Sequence, residues 1–258
     1  MRLEIEAATD VGLRRSQNED HFGVWPTDAA AADADRGVLL AVADGMGGAR
    51  AGEVASRLAV EAACRSWRDG RGGDPDADLA QAIEAANRAV YDESRSHAEL
   101  QGMGTTLTLV SVHAGEAWLA HVGDSRAYLV RDGDIRQLTQ DHSLVAQLVR
   151  DHQLTAEQAR VDPRRNVVTR SVGVASHVDV DTARVAERLV PGDTLLLTTD
   201  GLHGLVEDAE MARLVASRSL REGCDDLVAL ARERGGPDNI TVVAARVLAD
   251  DGGAGGRS

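Results

Sequence analysis

Aromatic and cysteine residues are scarce in this sequence, and long hydrophobic runs are absent. Aromatic residues make up 2% of the 258 residues, so the core has to be built from aliphatic side chains. No apolar run approaches the roughly 18 residues that a membrane-spanning helix needs, and no secretory signal pattern opens the chain. The two cysteines, Cys64 and Cys224, are too few for a disulfide framework and lack the spacing of zinc ligands. We therefore expect a cytoplasmic protein that does not associate with membranes.

Basic side chains are also in deficit. The chain has 28 Lys and Arg residues against 42 Asp and Glu residues, which gives a net charge of −14. This balance argues against nucleic-acid binding, because nonspecific binding depends on basic surfaces. Most acidic residues are expected to form a solubilising surface. Some of them could instead be held together by divalent cations, and the positions of the aspartates distinguish the two interpretations.

The predicted strands and helices follow an irregular order. Apolar runs predict strands at residues 37–43, 105–112, 117–122, 127–131, 135–138, 178–185, 194–198 and 240–247. Helical spacing predicts helices at 51–67, 79–91, 140–151, 155–160, 209–215 and 225–234. Helix pairs interrupt runs of strands rather than alternating with them one by one, so a doubly wound parallel sheet is not favoured. We expect an α+β fold of antiparallel sheets flanked by helices.

No segment separates two blocks of different composition. We therefore expect a single domain over residues 1–248. The Gly-rich segment 249–258 lacks core residues and is predicted to be a disordered tail.

Four aspartates stand beside glycine, or two residues after it in the case of Asp238, at predicted strand boundaries: Asp44, Asp124, Asp200 and Asp238. One such pair would usually be a plain turn. Four are harder to explain that way, because glycine lets the backbone approach a ligand and a strand end is a rigid support. If these carboxylates converge, hard divalent cations would have to offset their repulsion. In the absence of a Cys/His cluster, oxygen ligands favour Mg²⁺ or Mn²⁺ over zinc.

A further charged cluster lies near the start of the chain and contains Arg15, Glu19 and Asp20. In a functional interpretation, the arginine holds an anion while the two carboxylates order water beside a metal. The alternative is a solvated charged loop, and the cluster on its own favours that alternative.

Eight motifs occur in a fixed order along the chain. They are D-x-G-x-x-R-x-x-N-E-D at 10–20, A-D-G-M-G-G at 43–48, A-G-E-x-A-S at 51–56, G-M-G-T-T at 102–106, V-G-D-S-R at 122–126, L-T-x-D-H-S at 138–143, T-D-G-L at 199–202 and G-G-P-D-N-I-T at 235–241. Each motif alone is weak. The ordered set resembles the metal-dependent protein phosphatase family, the type 2C serine/threonine phosphatases, and in particular its compact bacterial members.

The resemblance implies a metal centre built on the four aspartates. Asp44 would bridge two metal ions, and the Gly45 carbonyl would bind one of them. Asp200 and Asp238 would supply the other direct carboxylates, while Asp124 would share a weaker third ion with Asp200. The implied cofactor is Mn²⁺ or Mg²⁺, with two or three ions bound.

The resemblance also assigns roles around the metals. Glu19 and Asp20 would hold water molecules there, and Arg15, rather than its neighbour Arg14, would bind the phosphate. Residues 138–173 would form a mobile flap near the cleft. The implied fold is an αββα sandwich, in which two antiparallel sheets are flanked by helix pairs.

The implied activity is hydrolysis of phosphoserine and phosphothreonine in proteins, by direct attack of a water activated by two metals. Expected partners are phosphorylated proteins and an opposing bacterial Ser/Thr kinase, and we expect a monomer. Two alternatives stay open. The protein could be a pseudophosphatase that binds phosphoproteins without turnover, or it could act on small phosphoesters or on a regulatory switch protein.

One position departs from the eukaryotic pattern. Met46 stands where eukaryotic relatives carry a histidine that is thought to protonate the leaving alcohol, and methionine cannot donate a proton. By position, His203 and His142 are candidates for the donor, although an exposed loop histidine is the commoner interpretation of His203. The identity of the donor stays open at this point.

Overall fold

The structure is a computed structural model that describes residues 1–26, 36–70, 73–217 and 219–249. Except for residue 249, the predicted disordered tail lies outside the described residues. The strands are β1 (Arg2–Asp10), β2 (Asp20–Trp25), β3 (Val38–Met46), β4 (Gly104–Thr105), β5 (Leu107–His113), β6 (Glu116–Val122), β7 (Arg126–Arg131), β8 (Asp134–Gln137), β9 (Asp181–Arg184), β10 (Thr194–Thr198) and β11 (Ile240–Leu248). The helices are α1 (Ala49–Asp69), α2 (Pro75–Ser96), α3 (Leu144–Arg150), α4 (Ala156–Val161), α5 (Asp200–His203), α6 (Asp208–Ser217) and α7 (Leu220–Glu233), with a short 3₁₀ helix at Ala98–Leu100.

The strands form two antiparallel sheets. One sheet has the order β1-β11-β10-β7-β8, and the other has the order β2-β3-β5-β6-β9, with β4 paired to the end of β3. In the first sheet, β11 lies between β1 and β10, and its register with β1 runs from Arg2↔Leu248 to Asp10↔Ile240. The end of β1 therefore lies beside the start of β11, close to the predicted ligand Asp238.

The alternation of side chains along β3 shows how the layers are built. Successive side chains of a strand point to opposite faces of its sheet. Leu40 and Val42 are buried against the other sheet, in an apolar layer that also contains Leu197. Leu39 and Ala41 are buried on the opposite face, against α1 and α2. Both faces of this sheet are thus covered, which accounts for the continuous apolar run in the sequence.

Helices cover the outer face of each sheet. α1 and α2 pack against the six-stranded sheet, and α5, α6 and α7 pack against the five-stranded sheet. α2 begins where the Asp74 side chain accepts a hydrogen bond from the N–H of Asp76 and Pro75 occupies the first helical position. This arrangement confirms the predicted α+β sandwich. None of the described helices is long and apolar enough to cross a membrane.

The structure differs from the predicted elements at several places. β1 and β2 are not among the predicted strands, and α5 is not among the predicted helices. The strand predicted at 178–185 is limited to β9, because pairing with β6 begins only at Asp181. Asp44, predicted to follow its strand, lies within β3, because β4 pairs with Gly45 and Met46 and extends the strand.

Candidate active site

Asp20 and Asp44 lie together where β2 begins and β3 ends, as directly opposed residues of that strand pair. The backbone of Asp44 is fixed by Thr105, the last residue of β4, and by Thr106, which precedes β5. Its N–H donates to Thr106 Oγ1 at 2.8 Å, and its carbonyl accepts from Thr105 Oγ1 at 2.8 Å and from the Thr106 N–H at 2.9 Å. Asp44 is therefore held by a rigid strand and not by a loop.

The ionised form of the Asp44 carboxyl group is unfavourable unless positive charge lies nearby. Asp44 keeps part of its surface open to solvent, but the protein around the carboxyl group raises its pKa well above the usual range. The charges of Asp20, Asp200 and Asp124 raise this pKa further. A carboxylate surrounded by other carboxylates is stabilised by nearby positive charge.

Asp20 joins the two sheets at this point. Its Oδ2 accepts hydrogen bonds from Thr199 Oγ1 at 2.8 Å and from Thr241 Oγ1 at 2.7 Å. Thr199 follows β10 and Thr241 lies on β11, whereas Asp20 belongs to the other sheet. Burial raises the pKa of Asp20 to about 7 in spite of these hydroxyl donors. Its second oxygen, Oδ1, is buried without a hydrogen-bond partner in the described structure.

Asp200 and Asp238 are brought together by close packing of two backbones. Asp200 is the first residue of α5. A Cβ on the next residue, Gly201, would come within 1.9 Å of the Asn239 carbonyl oxygen, so only glycine fits there. Burial, followed by the charge of Asp238, raises the pKa of Asp200 to about 6. Its Oδ1 is a second buried carboxylate oxygen for which the described part of the chain provides no hydrogen-bond partner.

Arg15 lies at the rim of this acidic cluster. Its Nη2 donates to Asp238 Oδ2 at 2.7 Å, and its Nη1 is 3.6 Å from Glu19 Oε2. About half of the arginine side chain is exposed, at 46%, whereas that of Glu19 is buried. Burial raises the pKa of Glu19, and its Oε1 has no hydrogen-bond partner among the described residues. The guanidinium group is thus positioned by carboxylates while one face stays open to solvent.

The side chain of Asn239 fixes the loop that carries Arg15 and Glu19. Its Oδ1 accepts from the N–H of Glu19 at 2.8 Å, and its Nδ2 donates to the carbonyls of Val11 and Gln17, each at 2.9 Å. One amide therefore satisfies three backbone groups of the loop. The charged cluster near the start of the chain is consequently part of the site, and its interpretation as a free solvated loop is wrong.

Gly45 lies in a very crowded place. A Cβ at this position would lie 2.1 Å from the Gly52 carbonyl oxygen and 2.6 Å from that of Glu19. Its N–H donates to the same Glu19 carbonyl at 3.1 Å. The requirement for glycine here follows from close contact between β3, α1 and the Arg15 loop.

Asp124 completes the group of acidic residues. It is buried, and burial together with the charge of Asp200 raises its pKa to about 8. The residue before it, Gly123, has φ +113°, and a Cβ there would lie 2.5 Å from Thr106 Cγ2. Glycine is needed at this position for both conformation and space.

The donor set fits a hard divalent cation. Four aspartates of the cluster have raised pKa values, and three buried carboxylate oxygens of Glu19, Asp20 and Asp200 have no hydrogen-bond partner within the described ranges. Oxygen donors in this number suit Mg²⁺ or Mn²⁺. Among the described residues, no group of three or more His, Cys, Asp or Glu side chains is by itself arranged to hold a metal ion. A cation here would therefore complete its shell with water, as Mg²⁺ commonly does.

The histidines considered as proton donors are both engaged elsewhere. His203 Nε2 lies 3.0 Å from the carbonyl oxygen of Asp124, so the interpretation as an exposed loop histidine is wrong. His142 is buried, contacts the backbone of Gly123 and stacks on His121, with ring centroids 4.9 Å apart. Met46 pairs with Gly104 at the end of β3. None of these side chains is placed as a free general acid.

The segment 138–173 is attached to the site at several points. Near its start, Asp141 forms a two-pronged ion pair with Arg126, with its shortest contact at 2.7 Å. At its end, the N–H of Gly173 donates to Asn87 Oδ1 at 2.7 Å. Between these anchors lies Arg165, whose positive charge offsets part of the rise that burial causes in the pKa of Asp200, so this arginine lies within electrostatic reach of the cluster.

Comparison with known proteins gives a consistent result. The family described as Protein phosphatase 2C matches residues 15–236. The chain is also 39% identical over 246 residues to the serine/threonine phosphatase stp of Listeria innocua, and the alignment covers 93% of this chain and 94% of that protein. The chain belongs to the protein phosphatase 2C family. This result confirms the resemblance, and it confirms that the protein is a hydrolase of the protein-phosphatase class.

Solved structures of protein phosphatase 2C relatives share the fold. The Mycobacterium tuberculosis serine/threonine phosphatase PstP/Ppp superposes with a TM-score of 0.85 at 35% identity, over 96% of this chain and all of that chain. The catalytic domain of PstP in complex with two manganese ions superposes with a TM-score of 0.82 at 36% identity, over 96% and 99% of the two chains. Because such relatives are named phosphatases, the binding-only alternative is not favoured.

The main residues that were not predicted are hydroxyl partners of the aspartates. Thr199 and Thr241 hold Asp20, while Thr105 and Thr106 hold the backbone of Asp44. Each threonine lies within a quoted motif, on or beside an otherwise apolar strand. A buried threonine beside a candidate ligand is the signal that points to such a supporting role.

Proposed function

We propose that the protein removes phosphate from phosphoserine and phosphothreonine side chains of proteins at a centre of two or three Mn²⁺ or Mg²⁺ ions. Asp44, Asp200, Asp238 and the carbonyl of Gly45 would hold two ions, and Asp124 with Asp200 would hold a third. When bound, such ions lower the pKa of water and orient it for in-line attack on phosphorus. The observation that carries the proposal is the cluster of aspartates with raised pKa values beside a half-exposed arginine.

Arg15 is proposed to bind the phosphate. A guanidinium group can donate two parallel hydrogen bonds to phosphate oxygens, which a lysine cannot do. Its contact with Asp238 orients the fork, and its exposed face is open to an incoming substrate. Positive charge at this position also favours the charge that develops on the equatorial oxygens during phosphoryl transfer.

Glu19 and Asp20 are proposed to orient water beside the ions. Each has one carboxylate oxygen without a hydrogen-bond partner among the described residues, while the rest of the residue is fixed by Asn239, Thr199 or Thr241. A carboxylate with a fixed position and a free oxygen can accept a hydrogen bond from water in one defined direction. This arrangement suits a residue that accepts a proton from water or holds the water in position.

The substrates are phosphorylated proteins, and a bacterial Ser/Thr kinase that this enzyme opposes is the proposed functional partner. We further propose that residues 1–248 act as one catalytic domain, as a monomer in the cytoplasm, with 138–173 as the flap. The free thiols Cys64 and Cys224 suit a reducing compartment.

The test is hydrolysis of a phosphothreonine peptide by wild type, Asp44→Asn and Asp132→Asn, each with Mn²⁺, Mg²⁺ or EDTA. Asp132 lies in the exposed turn between β7 and β8 with φ +53°, a conformation that asparagine tolerates, so it is the matched control. We expect metal-dependent turnover in wild type and control, and a loss of more than about 100-fold in Asp44→Asn. Turnover in EDTA, or full activity of Asp44→Asn, would contradict the proposal.

A further inference from the structure

The Asp124 turn, residues 123–125, is held by two histidines from different parts of the chain. On one side, the backbone N–H of His142 donates to the Gly123 carbonyl at 2.7 Å, and its ring Nδ1 lies 3.0 Å from the Gly123 N–H, which donates to it. On the other side, His203 Nε2 lies 3.0 Å from the Asp124 carbonyl oxygen. Gly123 and Asp124 are therefore fixed through three backbone groups.

These contacts determine the tautomer of both rings. Because His142 Nδ1 accepts a hydrogen bond, its proton has to sit on Nε2, which donates to Asp181 Oδ2 at 3.0 Å. Arg170 Nη1 also lies 3.0 Å from that nitrogen, but both atoms carry hydrogen, and Arg170 donates instead to Asp181 Oδ1 at 2.6 Å. His203 has to donate from Nε2, since a carbonyl oxygen can only accept.

The turn is thereby joined to two neighbouring parts of the site. Arg126, two residues after Asp124, is held by its ion pair with Asp141 at the base of the flap. His203 is the last residue of α5, which begins with Asp200. The Asp124 turn is thus attached to the flap on one side and to the Asp200 helix on the other.

We propose that His142 and His203 are positioning residues that set the Asp124 carboxylate relative to Asp200, and that His142 links this geometry to the flap. The inference rests on the proposed metal centre, in which these two carboxylates share an ion. It requires an acceptor at Nδ1 of His142 and a donor at Nε2 of His203. A role in packing alone would require only the volume of the rings.

The first experiment measures the tautomers in the metal-free wild type by two-bond ¹H–¹⁵N NMR of the histidine rings at pH 7.5. We expect a proton on Nε2 of both rings and none on Nδ1 of His142. This measurement does not depend on any phosphatase activity. A proton on Nδ1 of His142 would overturn the proposal because it removes the acceptor for the Gly123 N–H, and a His203 ring without a proton on Nε2 would overturn it because the donor to the Asp124 carbonyl is then absent.

The second experiment uses crossed substitutions and a Mn²⁺ binding isotherm. The Oδ1 of asparagine is as many bonds from the backbone as Nδ1 of histidine, whereas the side-chain amide nitrogen of glutamine corresponds to Nε2. His142→Asn and His203→Gln should therefore keep their bonds to the turn, whereas His142→Gln and His203→Asn should lose them. His152→Gln, an exposed flap position, is the matched control.

We expect the weakest class of Mn²⁺ sites to lose about 10- to 100-fold in affinity in His142→Gln and His203→Asn, the range typical of residues that orient metal ligands. The tighter sites, and the isotherms of the other three variants, should match wild type. Equal effects of Asn and Gln at both positions, or an unchanged weak class, would overturn the proposal. If His142→Gln does not fold, the comparison of His203→Gln with His203→Asn tests the proposal on its own.

Failure of the proposed phosphatase function can be distinguished from failure of the positioning proposal. If the wild type binds Mn²⁺ in tight and weak classes but hydrolyses no phosphopeptide, the phosphatase proposal fails. The comparison of the Asn and Gln variants at His142 and His203 then still tests the positioning role. If the wild type has no weak class, the positioning proposal fails, whatever the turnover.

Discussion

Asp20 and Asp44 are directly opposed across the β2–β3 pair, so two carboxylates face each other at the end of a buried sheet. Like charges at opposed positions of an antiparallel pair destabilise it. The hydroxyls of Thr199 and Thr241 offset part of this cost at Asp20, but its pKa is still raised to about 7. Without cations, the folded chain therefore holds protons that the unfolded chain releases.

The first prediction concerns the pH dependence of the metal-free protein. The pKa values of Asp20, Asp124 and Asp200 are raised to about 7, 8 and 6, against roughly 3.9 for an unfolded aspartate. These carboxyl groups bind more protons in the folded state over this interval, so the stability that they contribute is fully present below about pH 4 and is lost as the pH rises through these values. The buried histidines, whose pKa values are lowered, act in the opposite direction below about pH 6.5. The melting temperature in EDTA should therefore fall from pH 6.5 to pH 8.5. Asp20→Asn should flatten the curve and Asp132→Asn should not, and a melting temperature that rises over this range would refute the prediction.

The second prediction concerns phosphate binding. Arg15→Ala should lower kcat/KM for a phosphothreonine peptide by about 100-fold or more, because a preorganised donor to the developing charge is lost. Arg15→Lys should recover only part of this loss, since an ammonium group lacks the two-pronged geometry. Arg14→Ala, at the exposed neighbouring position, is the control and should stay near wild type. Equal losses at the two positions would argue against a specific role of Arg15.

The third prediction concerns the loop that carries Arg15 and Glu19. Asn239→Leu removes the acceptor for the Glu19 N–H and the donor to the carbonyls of Val11 and Gln17. Each buried polar group left unpaired costs about 1–3 kcal/mol. Urea unfolding should show a loss in that range or above it, and the KM for phosphopeptide should rise because Arg15 is no longer fixed. A variant with wild-type stability and KM would show that this amide does not organise the loop.

The fourth prediction separates backbone strain from steric overlap at the end of the flap. Gly173 has φ +89°, and a Cβ there would lie 2.1 Å from Val90 Cγ1. Gly192 has φ +98°, with no atom within 4 Å of such a Cβ. Gly192→Ala should therefore cost only the conformational strain, about 1–2 kcal/mol, and Gly173→Ala should cost clearly more. In a Val90→Ala background, which removes the contact with Cγ1, Gly173→Ala should cost less in denaturant unfolding than it does in the wild type. Equal costs at both glycines would contradict this explanation.

The fifth prediction concerns the thiols. Burial raises the pKa of Cys64 to about 11 and that of Cys224 to about 12. Because the thiolate is the reactive form, neither should react with a thiol reagent at pH 8 in the native protein, and both should react in urea. Rapid labelling of the native protein would show that one of these side chains is accessible and ionised.

The fold could be predicted where local pattern and burial agree. β3 and β10 are buried on both faces and read as apolar runs, and α1 and α2 show the spacing of one buried face. β1 is not among the predicted strands, although Leu3 and Ile5 alternate there with Glu4 and Glu6. This alternation is typical of a half-buried strand, and its short apolar side chains give a weaker signal than a continuous run.

The site could be predicted only in part, because local sequence does not specify long-range contacts. The aspartates are recognisable from their glycine neighbours and motif order. The hydroxyl partners of Asp20 lie 179 and 221 residues away along the chain, and His203 lies 79 residues from the carbonyl that it contacts. Which donor meets which acceptor over such separations depends on strand order, which single-sequence patterns do not determine.

The position of β11 between β1 and β10 has a consequence for how the protein is made. Thr9 and Thr241 are in contact across 232 residues of sequence, so β1 has to wait for the synthesis of β11 before it can join its sheet. Asp20 likewise waits for Thr241, which means that the ribosome has to release residues up to Thr241 before the acidic cluster can assemble. Closing so long a loop slows folding. During this delay the apolar faces of β1 and β10 stay uncovered, and the incomplete chain is expected to be prone to aggregation until β11 is inserted.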